Sequence, residues 1–260
     1  MSISVLLAAY CDKDHCDFIS HKGDASFLEG GTDTGTALEF VPFFAEQMAS
    51  ILPQLNEHDE LLVSDDSPEG CTAVKKAVGA FDDPRIRYIE GPGLGVIKNV
   101  EFLLGEARGE ILVLSDQDDV WLPGKLARVR EHLPLGEPAV LLHDAKMTDA
   151  KLCVTEESLF AQRGVGRGVL RNLMKNGYTG CCMAMTKELL PYILPFPEGI
   201  PMHDQWIGLQ GERRARVILL REALILHRRH AGTQTGQAAA GVLQKVKWRW
   251  GMAKALLRRR

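Results

Sequence analysis

The sequence predicts an α/β fold in which a mostly parallel β-sheet is flanked by helices. Short apolar runs alternate with segments of helical periodicity along most of the chain. One apolar run, Ile111–Ser115, follows Gly109 and is typical of a strand that is buried on both faces of a parallel sheet. Three carboxylates follow this run directly, at Asp116, Asp118 and Asp119. Because ligands bind beyond the carboxyl ends of strands in such sheets, the carboxylates mark the expected site.

Length and composition fit one large domain, or one domain with a small appendage. The chain has 260 residues, of which 45% are hydrophobic and 25% are charged, as in ordinary soluble globular proteins. The six cysteines form no Cys-x-x-Cys pair, and residues 1–10 lack the basic segment and cleavage site of a signal peptide. We therefore expect reduced thiols and a cytoplasmic protein. No apolar run approaches the roughly 20 residues that span a bilayer.

The first half of the chain alternates strands and helices up to the acidic triplet. We predict strands at residues 2–10, 60–64 and 86–90, and helices at residues 40–52, at 72–81 and from the Gly-rich turn 91–95 to about 108. The polar, Gly-rich residues 12–38 interrupt this alternation as an insertion. We expect a mobile loop there rather than a zinc site, although Cys11, His15, Cys16 and His21 keep zinc as an alternative.

The second half is predicted to contain shorter elements. Helices are expected at residues 124–132 and 167–175, strands at 139–147, 216–220 and 223–227, and a loop over the site at 154–168. The apolar residues after Gly180 favour another strand, and residues 195–206 favour a loop that leads into a helix.

Residues 115–121, Ser-Asp-Gln-Asp-Asp-Val-Trp, resemble the metal and nucleotide-sugar motif of family-2 glycosyltransferases. The nearest branch is the rhamnosyltransferase-like one that builds bacterial surface polysaccharides. Further segments resemble family elements in family order from residue 1 to about 236, including residues 179–181 (Thr-Gly-Cys) and 203–206 (His-Asp-Gln-Trp). The resemblance implies the GT-A fold and inverting, metal-dependent sugar transfer.

The resemblance also assigns the donor site. It implies that the strand end at Ala8, Ala9 and Tyr10 lies against the base of the nucleotide, and that Asp65 recognises this base. Cys11 stands where the family usually has Asn, which weakens this part of the match. Lys98, at the start of a helix after a Gly-rich turn, is a candidate for the diphosphate and equally a surface residue.

For the metal, a hard divalent cation prefers oxygen ligands, and clustered carboxylates need a positive partner. We expect Mg²⁺ or Mn²⁺ to be held by Asp118 with Asp116 assisting. His230 lies where the family has a His, and the resemblance implies that it completes the metal shell or binds the diphosphate. Gln117 is expected to contact the donor, and Asp119 is expected either to orient the loop or to contact the sugar of the donor. The alternative is that Asp116, Asp118 and Asp119 form a solvent-exposed acidic turn that binds no ligand.

On the acceptor side, the resemblance implies that Asp204 is the general base that deprotonates the acceptor hydroxyl. The alternative from the residues alone is a helix cap at Asp204. The expected acceptor and sugar pocket consists of Trp121, Thr179, Gly180, His203 and Trp206.

The expected organisation is a single GT-A domain over residues 1–236, followed by a basic helix or tail at 237–260. Residues 1–121 would form the nucleotide-binding half and residues 122–236 the acceptor half. The expected donor is a nucleoside-diphosphate sugar, with dTDP-rhamnose as the commonest for the branch, and the acceptor a glycan or a lipid-linked saccharide. The alternatives are a sugar nucleotidyltransferase, which normally has a Gly-rich basic loop that is absent here, and a non-catalytic carbohydrate-binding or scaffold protein.

The last segment carries its own prediction. No acidic residue follows Glu222, and on a helical wheel Val242, Leu243, Val246, Trp250, Ala253 and Leu257 share one side. We expect peripheral contact of residues 241–260 with the cytoplasmic face of the plasma membrane, with a helix packed on the domain or a disordered tail as alternatives. The acidic body of the protein argues against nucleic acid as a partner.

Overall fold

The protein is described here by a computed structural model that covers residues 1–11, 40–229 and 241–259. The strands of these residues are β1 (Ile3–Ala9), β2 (Glu60–Asp65), β3 (Ile86–Glu90), β4 (Ile111–Ser115), β5 (Val120–Trp121), β6 (Ala139–Thr148), β7 (Val154–Glu156), β8 (Met183–Thr186) and β9 (Arg216–Arg228). They form one sheet in the order β3-β2-β1-β4-β8-β6-β9-β5, and β7 pairs with β6. The insertion predicted at residues 12–38 lies outside the described residues.

The helices in the described ranges are α1 (Phe40–Ile51), α2 (Ala73–Gly79), α3 (Val96–Glu106), α4 (Lys125–His132), α5 (Leu159–Arg163), α6 (Val169–Met174), α7 (Leu190–Ile193), α8 (His203–Arg214) and α9 (Val242–Arg258). Short 3₁₀ turns occupy Leu52–Gln54, Gly180–Cys182 and Lys187–Leu189. The predicted positions of the elements up to α4 agree with the structure to within a few residues.

The strands β1 to β4 are joined by parallel pairs, as predicted. β1 pairs in parallel with both β2 and β4, and β2 pairs in parallel with β3. The apolar residues of β1, β2 and β4 are almost wholly excluded from water, because helices cover the faces of the sheet. The register places Ala9 opposite Asp65 and Leu7 opposite Ser115, so the carboxyl ends of β1, β2 and β4 lie at one edge.

The second half adds antiparallel pairs to the sheet, and two of its segments differ from the predicted elements. β8 is antiparallel to both β4 and β6, so the complete sheet is mixed. The two strands expected at residues 216–220 and 223–227 form one strand, β9, because shifts in its register with β6 near Asp144 absorb the intervening residues.

The loop expected at residues 154–168 instead contains β7 and α5. Ser158 caps α5 by accepting a hydrogen bond from the backbone N–H of Ala161 at 3.0 Å. The Asp144 carboxylate accepts from the Ser158 hydroxyl and from the backbone N–H of Phe160, the latter at 2.8 Å. Asp144 comes from β6, so this order depends on a tertiary contact that the local sequence does not reveal.

Among the cysteines that the structure describes, one differs from the expectation. Cys11, Cys153, Cys181 and Cys182 are free thiols, whereas Cys71 is disulfide-bonded. The prediction that all six cysteines are reduced is therefore wrong at Cys71, and cysteine spacing alone is a weak guide to pairing because the fold decides which thiols approach.

Helix α9 packs on the domain through one face. Met252, Ala255 and Leu256 on this face are buried. Arg213 of α8 donates to the Leu256 carbonyl at 2.8 Å, and Arg249 donates to the Met174 carbonyl at 2.8 and 3.1 Å through two of its nitrogens. The Arg259 guanidinium donates to carbonyls of the segment after α7, which include those of Ile193, Leu194 and Pro195.

These contacts support the alternative of a packed helix for this part of the chain, in place of a disordered tail. Among the helices that the structure describes, none is long and apolar enough to cross a membrane.

Candidate active site

The predicted nucleotide-binding residues converge at the carboxyl ends of β1, β2 and β4. Gln117 joins two of these strand ends, since its side-chain oxygen accepts from the Tyr10 N–H at 2.7 Å and its amide donates to the Tyr10 carbonyl at 3.0 Å. This clamp holds Ala8, Ala9 and Tyr10 beside the acidic stretch after β4. The Tyr10 side chain is exposed, so its ring remains open to a ligand.

Asp65 and Asp66 follow β2 and are both buried. Asp65 accepts hydrogen bonds from the Tyr88 hydroxyl at 2.8 Å and from the Ser67 N–H at 3.1 Å. Burial and this contact with the Asp65 carboxylate raise the pKa of Tyr88 above its ordinary value, so Tyr88 remains a proton donor to Asp65.

Asp66 organises the Gly-rich turn before α3. Its two carboxylate oxygens accept from the N–H groups of Gly93 and Gly95 at 2.6 and 2.7 Å. Both glycines have positive φ, +68° and +84°, which other residues adopt only with strain. Two N–H groups that the sequence offered to a phosphate are therefore bound by a protein carboxylate. Lys98, another candidate for the diphosphate, pairs with Glu101 at 2.6 Å and is about two-fifths exposed.

The acidic triplet follows β4, as predicted. Burial, together with the nearby carboxylates of Asp119 and Asp118, raises the pKa of the Asp116 carboxyl to about 7. The three neighbouring carboxylates favour a cation at this place. The oxygen ligands of Asp116 and Asp118 fit a hard divalent ion. His230, the third expected ligand, lies outside the described residues.

Asp119 has a partner that the sequence did not indicate. It is fully buried, and its Oδ1 accepts from His227 Nδ1 at 2.9 Å and from the Arg228 N–H at 3.1 Å. Burial opposes the charged form of His227, but the Asp119 carboxylate outweighs burial and raises the pKa of His227 to about 9. The pKa of Asp119 is lowered by His227 in spite of burial. These contacts give Asp119 a role in fixing β9, beside the donor contact expected for it.

Cys181 completes this buried group. Its Sγ lies 3.6 Å from His227 Nδ1, and it is a hydrogen-bond partner of Asp116 and Asp119. Within the described ranges, Asp119, Cys181 and His227 are also the set of side chains whose ligand atoms approach within 4.8 Å of one another. No residue of this set other than Asp119 was a predicted site residue, because the contacts join segments far apart in sequence.

Lys125 lies buried beneath the acidic cluster. Its Nζ donates to the Cys181 carbonyl at 3.0 Å and lies 3.9 Å from the centre of the Trp121 ring. Burial lowers the pKa of Lys125 to about 8, although the surrounding acidic groups favour its charge. The acidic residues thus have an internal counter-charge, and a lysine at the first turn of α4 is a signal that sequence reasoning missed.

Asp204 lies in the first turn of α8, where burial raises its pKa. The Gln205 N–H and the Asn176 amide both donate to Asp204 Oδ1, at 2.6 and 3.3 Å. Only one carboxylate oxygen is engaged by these two bonds. Arg163 lies near enough for its charge to lower the pKa of Asp204 in part, and it donates to the Thr179 hydroxyl at 2.8 Å.

The turn Gly180–Cys182 connects the acidic cluster to Asp204. A Cβ atom at Gly180 would lie 3.0 Å from His203 Nε2, so the absence of a side chain lets this turn lie on the His203 ring. The next residue, Cys181, faces Asp119 and His227. The predicted residues Thr179, Gly180, His203 and Asp204 are therefore brought together, and one turn separates them from the acidic triplet.

The two tryptophans differ from the expectation. Trp121 is 3% exposed and Trp206 is fully buried, and both belong to the hydrophobic core. The Trp206 indole donates to the Ile193 carbonyl at 2.9 Å, and the Trp121 indole packs on Lys125. Both were assigned to an acceptor pocket, but neither ring is open to a ligand in this structure. Their function is to support the elements that carry Asp119 and Asp204.

Comparison with known proteins identifies the family. Residues 40–190, more than half of the chain, match the sequence profile described as Glycosyl transferase family 2. The chain belongs to glycosyl transferase family 2. The matched residues include Asp65, the acidic triplet and the Gly180 turn.

A sequence relative and two solved structures extend this result. The putative colanic acid biosynthesis glycosyl transferase WcaA of Escherichia coli (strain K12) is 31% identical over 86 residues, which are 32% of this chain and 30% of that protein. The chain therefore matches less than a third of the length of this relative. The structure of S. aureus TarS 1-349 in complex with UDP-GlcNAc superposes with a TM-score of 0.60 at 17% identity. The match covers 100% of this chain and 67% of the TarS chain.

The mannosyltransferase PcManGT from Pyrobaculum calidifontis, in complex with GDP-Man and Mn²⁺, has a TM-score of 0.53 at 16% identity, over 99% of this chain and 62% of its own. At such identities the two structures establish the fold, which is GT-A as expected. The rhamnosyltransferase-like branch remains a prediction.

Proposed function

We propose that this family-2 protein transfers a sugar from a nucleoside-diphosphate sugar to an acceptor hydroxyl, with inversion at the anomeric carbon. The observation that carries the proposal is the half-buried Asp116 with its raised pKa, among further carboxylates at the end of β4 and one turn from Asp204. In this proposal residues 1–121 bind the nucleotide, residues 122–236 bind the acceptor, and residues 237–260 form a separate basic helical segment.

The nucleoside would lie over the strand ends at Ala8, Ala9 and Tyr10. The small side chains of the alanines allow close approach to the backbone, and Gln117 holds this backbone in place. Asp65, whose carboxylate is oriented by Tyr88 and Ser67, would accept hydrogen bonds from the base or the ribose. Lys98 would have to break its ion pair with Glu101 to reach the diphosphate. We therefore assign it a smaller contribution to donor binding than Asp65.

Asp118 and Asp116 would hold Mg²⁺ or Mn²⁺, with His230 as the third proposed ligand. Bound there, the cation would neutralise the charge that develops on the departing diphosphate. The fit rests on the oxygen ligands and on the raised pKa of Asp116, since carboxylates that resist ionisation without a cation become good ligands with one. The Mn²⁺ in the PcManGT complex supports this choice of metal class.

Asp204 would act as the general base. Its carboxylate takes the proton of the acceptor hydroxyl while the hydroxyl oxygen attacks the anomeric carbon and the bond to the diphosphate breaks. Burial, which raises the pKa of Asp204, increases its basicity, while the Gln205 N–H and Asn176 fix its orientation. His203 and Thr179 would line the acceptor position.

The donor and acceptor are proposed from resemblance. The rhamnosyltransferase-like motif favours dTDP-rhamnose as the first donor to test. UDP-GlcNAc and GDP-Man in the complexes of similar fold make UDP and GDP sugars the next candidates. The similarity to WcaA, a putative colanic acid biosynthesis glycosyl transferase, supports a glycan or lipid-linked acceptor in bacterial polysaccharide synthesis. We propose that the reaction takes place on the cytoplasmic side.

The test is an assay of nucleoside diphosphate release from dTDP, UDP and GDP sugars with Mn²⁺, with and without oligosaccharide and polyprenyl-linked acceptors. We expect release that depends on acceptor. Asp204→Asn should lower kcat by about 10²–10⁴ and leave the donor Kd unchanged, whereas the exposed Asp82→Asn is the matched control. Release of pyrophosphate would favour a nucleotidyltransferase. No turnover or donor binding across the panel would favour a scaffold, and full activity of Asp204→Asn would exclude it as the base.

A further inference from the structure

Helix α9 has two apolar faces, and only one of them is covered. Met252, Ala255 and Leu256 are buried against the domain. The opposite face carries four large apolar side chains that are between 52% and 81% exposed: Leu243, Val246, Trp250 and Leu257. At 100° per residue these four lie within an arc of roughly 60°, on the side of the helix away from the domain. We call them the α9 stripe.

A neighbouring helix adds to this surface. Leu170 and Met174, one turn apart on α6, are 74% and 53% exposed. Arg249 of α9 donates to the Met174 carbonyl, so the end of α6 adjoins the middle of α9 next to Trp250. Single exposed apolar residues need no explanation, but several on two adjoining helices mark a surface that has a partner.

The charge beside the α9 stripe is of one sign. Lys247, Lys254 and Arg258 are exposed and lie on one flank of the stripe, about 20–120° from its members. No acidic residue occurs in residues 241–259. The partner must therefore accept apolar side chains and present negative charge next to them.

We propose that the α9 stripe docks the protein on the surface of an anionic lipid bilayer. The helix would lie in the plane of the interface, with Leu243, Val246 and Leu257 at the acyl boundary and Trp250 at the depth of the headgroups. Lys247, Lys254 and Arg258 would contact the anionic headgroups. The domain contacts α9 through Met252, Ala255 and Leu256 on its opposite face, so the stripe remains accessible to a bilayer.

A second copy of the chain is the competing occupant. The spacing of the stripe, at positions 243, 246, 250 and 257, also suits the seam of a coiled coil. The positions that flank such a seam are Lys247, Arg249 and Lys254, so two copies of α9 would bring like charges together. The same lysines are attracted to an anionic surface. We therefore favour the anionic bilayer over a second copy of the chain.

The test is co-sedimentation of the full chain with two kinds of vesicle, at low and at high salt. One kind contains phosphatidylcholine with about 30% phosphatidylglycerol, which is strongly anionic, and the other contains phosphatidylcholine alone. We expect binding to the anionic vesicles that weakens with salt. Trp250→Ser/Leu257→Ser should reduce the partition coefficient at least about tenfold, and Lys247→Gln/Lys254→Gln about 25-fold. Both double variants should fold normally, because they change exposed side chains, and circular dichroism checks this.

Matched controls are Leu135→Ser for exposed apolar residues and Lys76→Gln/Lys151→Gln for exposed lysines, and these should bind as the wild type does. The proposal is overturned if the stripe variants bind as the wild type does, or if binding is equal on neutral vesicles. A concentration-dependent dimer in sedimentation velocity that Trp250→Ser abolishes would assign the stripe to a second copy instead. Since lipid binding is measured without substrate, this result is independent of the proposed transferase activity.

Discussion

Carboxylates follow both β2 and β4, but the two groups have different surroundings. After β2, Asp66 accepts from two backbone N–H groups and Asp65 from the Tyr88 hydroxyl, so neutral donors of the protein satisfy them. After β4, Asp116 is surrounded by further carboxylates and has its pKa raised to about 7. At the first group, the carboxylates of Asp65 and Asp66 are satisfied by hydrogen bonds from neutral groups of the protein. In the second group, Lys125 and His227 offset part of the charge of the three carboxylates, and the negative charge that remains is the property that a cation-binding site needs.

The largest effect is expected at the second group. Asp118→Asn should lower kcat about a thousandfold, equivalent to about 4 kcal/mol of transition-state stabilisation, because it removes the proposed principal metal ligand. The measurement is donor turnover with Mn²⁺, with EDTA-treated wild type for comparison and Asp82→Asn as the exposed control. Turnover that is insensitive to both EDTA and this substitution would mean that the acidic triplet binds no catalytic cation.

At the first group the same kind of change should act on stability. Asp66→Ala should lower the free energy of unfolding by about 3 kcal/mol, since it leaves the N–H groups of Gly93 and Gly95 without their acceptors. Urea denaturation measures this, with Asp82→Ala as control. Asp66→Asn should recover part of the loss, because its amide oxygen still accepts one bond. A wild-type unfolding curve for Asp66→Ala would remove the distinction between the two groups.

The smallest effect concerns pH. In the folded protein His227 has its pKa raised to about 9, against 6.5 as the ordinary value, so its contribution to stability is complete below pH 6.5 and is lost as the pH rises through 9. We expect the free energy of unfolding to fall by on the order of 2 kcal/mol over this range. His227→Gln should flatten the fall, and the exposed His58→Gln should not. Denaturation in EDTA from pH 6 to pH 9.5 measures it, and equal slopes in all three proteins would mean that the His227–Asp119 pair does not form.

The same two groups show how far the sequence can lead. The partners of Asp65 and Asp66 lie 23 to 29 residues further along the chain, on the neighbouring strand and the turn that follows it, so a parallel sheet already brings them close. Asp119 pairs with His227, 108 residues away, across strands whose pairing depends on the mixed half of the sheet. No local pattern specifies β8 as antiparallel or β9 as one bulged strand, and with that topology unknown the Asp119 contact could not be derived.

The two tryptophans show a limit of motif resemblance. Trp121 and Trp206 belong to motifs that resemble family elements, and they were therefore expected in the acceptor and sugar pocket. Their indoles are buried, because the turns that present Asp119 and Asp204 need a packed support. A sequence motif shows that a residue matters to a site, but it does not distinguish contact with the ligand from support of the neighbouring residue.

The anchoring of α9 has a geometric consequence. Arg259 binds carbonyls of Ile193, Leu194 and Pro195, and Gly251 lies on the carbonyl of Gly199, in the segment that leads directly to Asp204. The helix therefore lies directly against the segment that leads to Asp204. If α9 rests on a bilayer, the carboxylate of Asp204 stands at a set height above the lipid. The protein would then select acceptors by the distance of their hydroxyl from the bilayer. A hydroxyl that the carrier lipid presents at the height of Asp204 would be favoured over the same hydroxyl on a longer chain.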